Sequence, residues 1–334
     1  AMLSALRSEL SGTADFSAWA DGRIDALDLA MKGGAGQLEL PGVSPIPIEG
    51  LALDLSLDRP VGRGEVKALT LDLGLGSSLL VTGAIDFGAA DSRFGLDAVL
   101  TDFSMDRLDG YWPSNLALDA RNWVTGNITM GAVPRATIAV KGSLLGGDPD
   151  ALTIEELGGE IVIRAAQVDY FRPLSPATDV DAVATYGMDW FDIDLAAGRV
   201  GEIMLEKGLI KITNLGGGED VQEYIDISLD LATPMKPALD LLDTDPLRLV
   251  SAIGIDTQGI SGQARGNVHF DFPLLNELKT SQINVVADTR VRGLVMTSSN
   301  AAVRREPEGW GWERAARYLP RKNSGTASCP RSAS

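Results

Sequence analysis

Large aliphatic residues occupy every second position in several short segments of the chain. Leu51, Leu53, Leu55 and Leu57 alternate with Ala52, Asp54, Ser56 and Asp58. The pattern returns at Leu69, Leu71, Leu73 and Leu75, and again at Ile225, Ile227, Leu229 and Leu231. Successive side chains of a strand point to opposite faces, so each segment is oily on one face and acidic or small on the other. Strands are predicted over 23–31, 36–40, 50–58, 65–75, 78–87 and 92–101. More follow over 127–131, 135–144, 151–156, 160–167, 179–186, 189–196, 199–205, 208–214, 223–232, 262–272 and 281–296. The connectors are rich in Gly, Pro, Asp and Ser, the composition of hairpin turns. Gly33-Gly34, Gly146-Gly147 and Gly216-Gly217-Gly218 read as turns, and Pro41 to Pro47 and Arg59-Pro60 as loops that no central strand tolerates.

Helical signals are few. A short helix is predicted from Met2 to Leu10. A second covers 113–124, with Pro113 in its first turn and Leu116, Ala120 and Trp123 on one face against the sheet. Pro234 and Pro237 bracket a third over 235–242, and Asp245-Pro246 opens a fourth over 246–253. The fold class is mainly β: an elongated antiparallel sheet with a few short helices.

Hydrophobic residues make up 45% of the 334 residues, enough for a buried core, but aromatics only 6%. The oily faces are therefore Leu, Ile and Val. Net charge is −17, and the 22 basic and 43 acidic residues before position 301 make that part −21. Phosphate backbones and anionic bilayers repel such a body, which argues against nucleic acid as a partner. The one cysteine, Cys329, excludes an intrachain disulfide. No apolar run is long enough to span a bilayer, and no signal peptide opens the chain. It enters the strand pattern at once, as a segment of a longer protein would. After Asn300 alternation stops and a basic stretch with Trp310 and Trp312 begins. We read residues 1–300 as one β unit and 301–334 as a disordered tail, with an interfacial helix over 309–320 as the alternative.

Catalytic chemistry is poorly represented. His269 shares the polar face of its strand with Asp271, and reads as an exposed residue beside an exposed carboxylate rather than a catalytic pair. One histidine and one tail cysteine exclude histidine-based metal sites and Cys–His nucleophiles. Asp54, Asp58, Asp72, Asp192, Asp194, Asp226 and Asp230 fall on polar strand faces, where solvation accounts for them. The glycine clusters lack the residues of a phosphate loop or dinucleotide fingerprint, and no calcium loop is present. No enzyme activity, cofactor or metal is expected.

Tyr111-Trp112-Pro113, then Ala120-Arg121-Asn122-Trp123, then Gly131-Ala132-Val133 resemble the signature of the central domain of YhdP-type proteins in the AsmA-like superfamily. Gly262-Gln263-Ala264-Arg265-Gly266 followed by Phe270-Asp271-Phe272-Pro273-Leu274 is similar to another segment of that family. The resemblance covers about residues 10–297 and its signature residues are Tyr111, Trp112, Pro113, Arg121 and Trp123. It implies a long, twisted, taco-like β-groove in the envelope of a Gram-negative bacterium, anchored in the inner membrane by a helix that this chain lacks. The implied role is carrying phospholipid across the periplasm in support of the outer membrane. The basic tail departs from the family pattern, and the family contributes no catalytic residues.

Two readings of the oily faces follow. Alternation alone favours an ordinary sandwich core, in which the faces pack on each other. The resemblance favours an open groove holding phospholipid acyl chains, lined by Leu51, Leu53, Leu55, Leu69, Leu71, Leu73, Ile225, Ile227, Leu229 and Leu231. The alternative function is a structural or assembly domain of the envelope, a β-solenoid or sandwich with a dry core.

Overall fold

A computed structural model describes residues 6–296, apart from 40–44, 89, 114–116, 147, 149–150, 219–220, 246, 249, 276–277 and 280–281. The strands are β1 (Leu6–Arg7), β2 (Leu10–Ala18), β3 (Ile24–Gly33), β4 (Gly36–Leu38), β5 (Ile46–Ile48), β6 (Gly50–Asp58), β7 (Arg63–Gly74), β8 (Ser77–Phe87) and β9 (Asp91–Ser104). They continue as β10 (Ile128–Thr129), β11 (Ala132–Leu145), β12 (Leu152–Val168), β13 (Ala177–Tyr186), β14 (Trp190–Val200), β15 (Ile203–Thr213), β16 (Tyr224–Pro234), β17 (Ile260–Pro273) and β18 (Asn284–Met296). Three short α-helices accompany them: α1 (Leu108–Tyr111), α2 (Leu118–Asn127) and α3 (Met235–Asp243).

Fifteen strands form one antiparallel sheet. Its path runs β2-β3-β6-β7-β8-β9-β11-β12-β13-β14-β15-β16-β17-β18, with β10 beside β12. The path does not close on itself, so β2 and β18 are its borders. β1, β4 and β5 make a separate three-stranded sheet. The interdigitated sandwich is thereby overturned: among the described residues no second layer of comparable size faces the large sheet. Bulges interrupt the ladders repeatedly, for example between Val66 and Leu69, Ile163 and Ala166, and Thr178 and Asp181. Bulges add local twist and bend, the means by which a sheet of this many strands curls instead of lying flat.

The covering elements gather at one end of the strands. Short turns such as Leu75-Gly76 and Gly201-Glu202 lie there, together with the β1-β4-β5 sheet, α1, α2, β10 and α3. One cluster packs Ile48 of β5, Leu71, Leu73, Phe103, Met105 and Val133, with Leu108, Tyr111 and Val124 against it. The other packs Ala166, Val180, Leu195, Val200, Ile203 and Leu205, with Leu241 of α3 against it. Ile128 of β10 touches both, so the covered strip is continuous.

Several sequence expectations are corrected. The described part of the Met2–Leu10 helix is extended, in β1 and the start of β2, and β2 itself was not predicted because its inward positions Gly12 and Ala14 are small. The predicted 113–124 helix corresponds to α2 alone, which starts later and runs on to Asn127; α1 lies before Pro113. Trp112, held extended at φ −86° and ψ 120° before Pro113, ends α1, and α2 starts only at Leu118. Ala120 and Trp123 are exposed, and the face α2 turns inward carries half-buried Arg121 and Val124 instead; Leu116 lies outside the described residues. The segments 151–156 and 160–167 are one strand, β12, passing through Gly158-Gly159. The 199–205 strand is a hairpin turn with Gly201 at φ 58°. A short strand, β5, sits at the end of the Pro41 to Pro47 loop, and among the described residues of the 246–253 stretch the helical turn is a 3-10 turn at Ser251–Ile253. The tail from 301 onward lies outside the described residues.

Candidate functional site

The register joins the alternating segments into rows that cross the whole sheet. One row takes a residue from each strand of the path: Leu10, Gly33, Leu51, Leu71, Leu79, Leu100, Ala136, Ile161, Ala184, Ile193, Ile210, Ile227, Phe270 and Val285. Every member is apolar or glycine. A second row beside it includes Met31, Leu53, Leu69, Val81, Ala98, Ile138, Tyr186, Phe191, Ile212, Ile225 and Phe272. Directly opposed side chains share a face, so these rows form one apolar floor.

All ten groove candidates stand on this floor, in two groups with seven strands between them. Leu51, Leu53, Leu55 and Leu69 are half-buried on β6 and β7, and Ile225, Ile227, Leu229 and Leu231 are half-buried on β16. Leu71 and Leu73 differ: they are buried in the covered strip, against Ile48. The intervening floor was not read from sequence as lining. Ala136, Gly159 and Ala184 replace large aliphatics there, which weakens the alternation.

At the glycine the neighbours leave no room for a side chain. A Cβ at Gly159 would stand 2.1 Å from Thr137 O and 2.5 Å from the Tyr186 hydroxyl. Tyr186 lies across the glycine, donates a hydrogen bond to Thr137 O (3.0 Å) and stacks on Phe191 with ring centroids 5.9 Å apart. Burial pushes the Tyr186 hydroxyl pKa above its ordinary value. At Gly142 the Phe94 ring, and at Gly83 the Leu96 side chain, take the same position. Glycine inside a strand marks such close approaches.

The opposite face is polar. The row Thr185, Asp192, Lys211, Asp226, Asp271 and Asn284 runs along it. Lys67 Nζ lies 3.1 Å from Asp28 and 3.8 Å from Asp54, and Lys141 Nζ lies 2.6 Å from Glu156. The predicted polar-face aspartates are exposed, except half-buried Asp192 opposite Lys211. His269 Nε2 sits 3.5 Å from Asp226 Oδ2 and 3.7 Å from Asp271 Oδ1 on this wet face. Ser228 opposes His269 in register, but Asn267 Nδ2 donates to its hydroxyl (3.1 Å). No group of acidic, histidine or cysteine side chains among the described residues has metal-binding geometry.

The signature residues assemble the cover. The Tyr111 ring meets Phe103 edge-on at 5.2 Å. Arg107 lies over both rings and donates to Leu73 O, Gly74 O (3.1 Å), Ser77 Oγ (3.2 Å) and the Tyr111 hydroxyl. Arg121 donates to Trp112 O (3.1 Å), Asp109 O (3.0 Å) and Asp109 Oδ1 (2.6 Å), tying α2 to α1. Trp112 and Pro113 are half-buried between the helices, whereas Trp123 points outward.

One open antiparallel sheet, apolar on one face, acidic on the other and covered along one end of its strands, defines the class: a β-groove protein. The family model described as YhdP protein matches residues 7–304, and the chain belongs to the YhdP family. No curated protein and no solved structure matches.

Proposed function

We propose that this chain is a segment of a lipid-transfer conduit that holds phospholipid acyl chains on its apolar floor between the inner and outer membranes, supporting outer-membrane integrity. The observation that carries the reading is the unbroken cross-strand row from Leu10 to Val285, whose large members in β6 and β16 stay half-exposed, with no second sheet of comparable size over them among the described residues. Each methylene moved from water to such a surface is worth about 0.8 kcal/mol, so a two-chain lipid prefers the floor to water. An aliphatic floor repeats the same contact at each strand, which permits sliding. The activity is carriage without covalent chemistry. The setting is the periplasm, with inner-membrane anchoring in the full-length protein; among the described residues no helix is long and apolar enough to cross a membrane.

A photocrosslinking amino acid at Leu53 or Ile227 is expected to capture phospholipid in cells, while the same group at Asp54 or Asp226 captures little. Capture confined to the aspartate positions would reverse the faces. A clean apo mass in native mass spectrometry, with no capture at either face, would favour a structural or assembly role.

A further inference from the structure

The two borders of the large sheet carry opposite charges, and each sets like against like. On β2, Asp15 stands directly opposite Asp28 of β3; on β18, Arg290 stands directly opposite Arg265 of β17. Like charges facing each other across a ladder destabilise it. The inner member of each pair is neutralised from within the sheet: Lys67 Nζ lies 3.1 Å from Asp28, and Arg265 Nη2 lies 2.8 Å from Glu206. The border members, Asp15 and Arg290, are exposed and have no ion-pair partner among the described residues. Arg292, on the same face of β18, is likewise exposed and unpaired. Asp226 and Asp271 also face each other, but there Lys211 and His269 stand beside the carboxylates. Only at the borders is the outer charge left without a counter-charge among the described residues.

Among the described residues neither β2 nor β18 has a strand on its outer side. Open main-chain edges of this kind accept a further strand. The charges select which one: β2 repels another β2 and β18 repels another β18, whereas β2 and β18 attract. Direction fits as well. A copy displaced along the strand path without being turned over brings its β2 antiparallel to β18 of the first. We propose that a second copy of this chain continues the sheet in this way, head to tail. With Asp15 opposite Arg290, antiparallel pairing sets Thr13 opposite Arg292 and Ser17 opposite Asp288 on the polar face. Ala14 and Phe16 then meet Val291 and Thr289 on the floor side. Each border gains the counter-charge it lacks, and the floor runs on across the junction. The contact joins two different surfaces and leaves a β2 and a β18 border exposed at the ends, so copies add one after another. The inference stands on the borders alone and holds whatever the floor carries.

The test uses the purified full chain in a Cys329→Ser background, followed by sedimentation velocity over a range of concentrations. The weight-average mass is expected to keep rising with concentration and not to stop at a dimer. Arg290→Asp and Asp15→Arg should each raise the concentration of half-association about tenfold, because a facing opposite charge becomes a facing like charge. Both substitutions in one chain should restore association. Ser17→Cys in one preparation and Asp288→Cys in another, mixed with a short bismaleimide, are expected to cross-link in higher yield than either preparation alone. A monomer at every concentration, association that neither reversal weakens, a double variant as weak as the single ones, or cross-linking that favours like borders would each overturn the head-to-tail contact.

Discussion

Leu75 stands at φ 57° and Gly76 at φ 84° in the two-residue turn between β7 and β8. Two positive φ values make the mirror-image hairpin turn in which Asn-Gly is favoured. Leucine pays about 1–2 kcal/mol for that conformation, and at 87% exposure Leu75 recovers little of it by burial. Leu75→Asn should stabilise the protein by about 1 kcal/mol, read as a higher urea midpoint at unchanged slope. An unmoved or lower midpoint would show that the turn is not strained. At this scale the sequence was legible wherever the floor residue is large, as in Leu51, Leu53, Ile225 and Ile227. It was illegible where a neighbour supplies the oil: at Gly159 the lining is the Tyr186 ring, and at Gly142 it is Phe94. Reading those positions requires the register, which no single strand carries.

The α1–α2 hairpin is the element whose attachment is most concentrated. The Arg121 side chain is only 16% exposed and links α2 to two carbonyls and a carboxylate of the preceding segment. Hydrogen bonds from a charged donor contribute about 1.5–3 kcal/mol each when partly shielded. Arg121→Ala should therefore speed amide exchange across α1 and α2 by more than about tenfold, with β13 to β17 unchanged. Uniform slowing or quickening across the sheet would contradict a local attachment. Arg121→Lys should not restore protection, because an ammonium cannot reproduce the planar fork that reaches Trp112 O and Asp109 together. Helices were the elements read least well from sequence. Pro113 marked a helix boundary correctly in kind but on the wrong side: it ends α1 through Trp112 instead of opening α2. The third helix was read nearly to the residue, because Pro234 and Pro237 fix its first turn and its apolar stripe is strong.

Across the whole molecule, the floor divides into a packed strip and an open tract, and the two should respond differently to charge. Leu71 is 3% exposed under β5, so Leu71→Asp buries an unpaired carboxylate and should cost several kcal/mol, lowering the melting temperature or preventing folding. Leu53→Asp with Ile227→Asp places carboxylates that stay hydrated, and should cost less than about 2 kcal/mol while abolishing lipid capture. Unfolding of the double variant, by circular dichroism, would mean that the open tract is a sealed core after all. The strand path advances by one neighbouring strand at a time, and its strands are fourteen, so the two border strands run in opposite directions. A meander of this kind is a ruler: each added strand lengthens the trough by about 4.8 Å, and an added hairpin restores the polarity of the border. Length can thus be set by counting hairpins, with the chemistry of the apolar face left as it was.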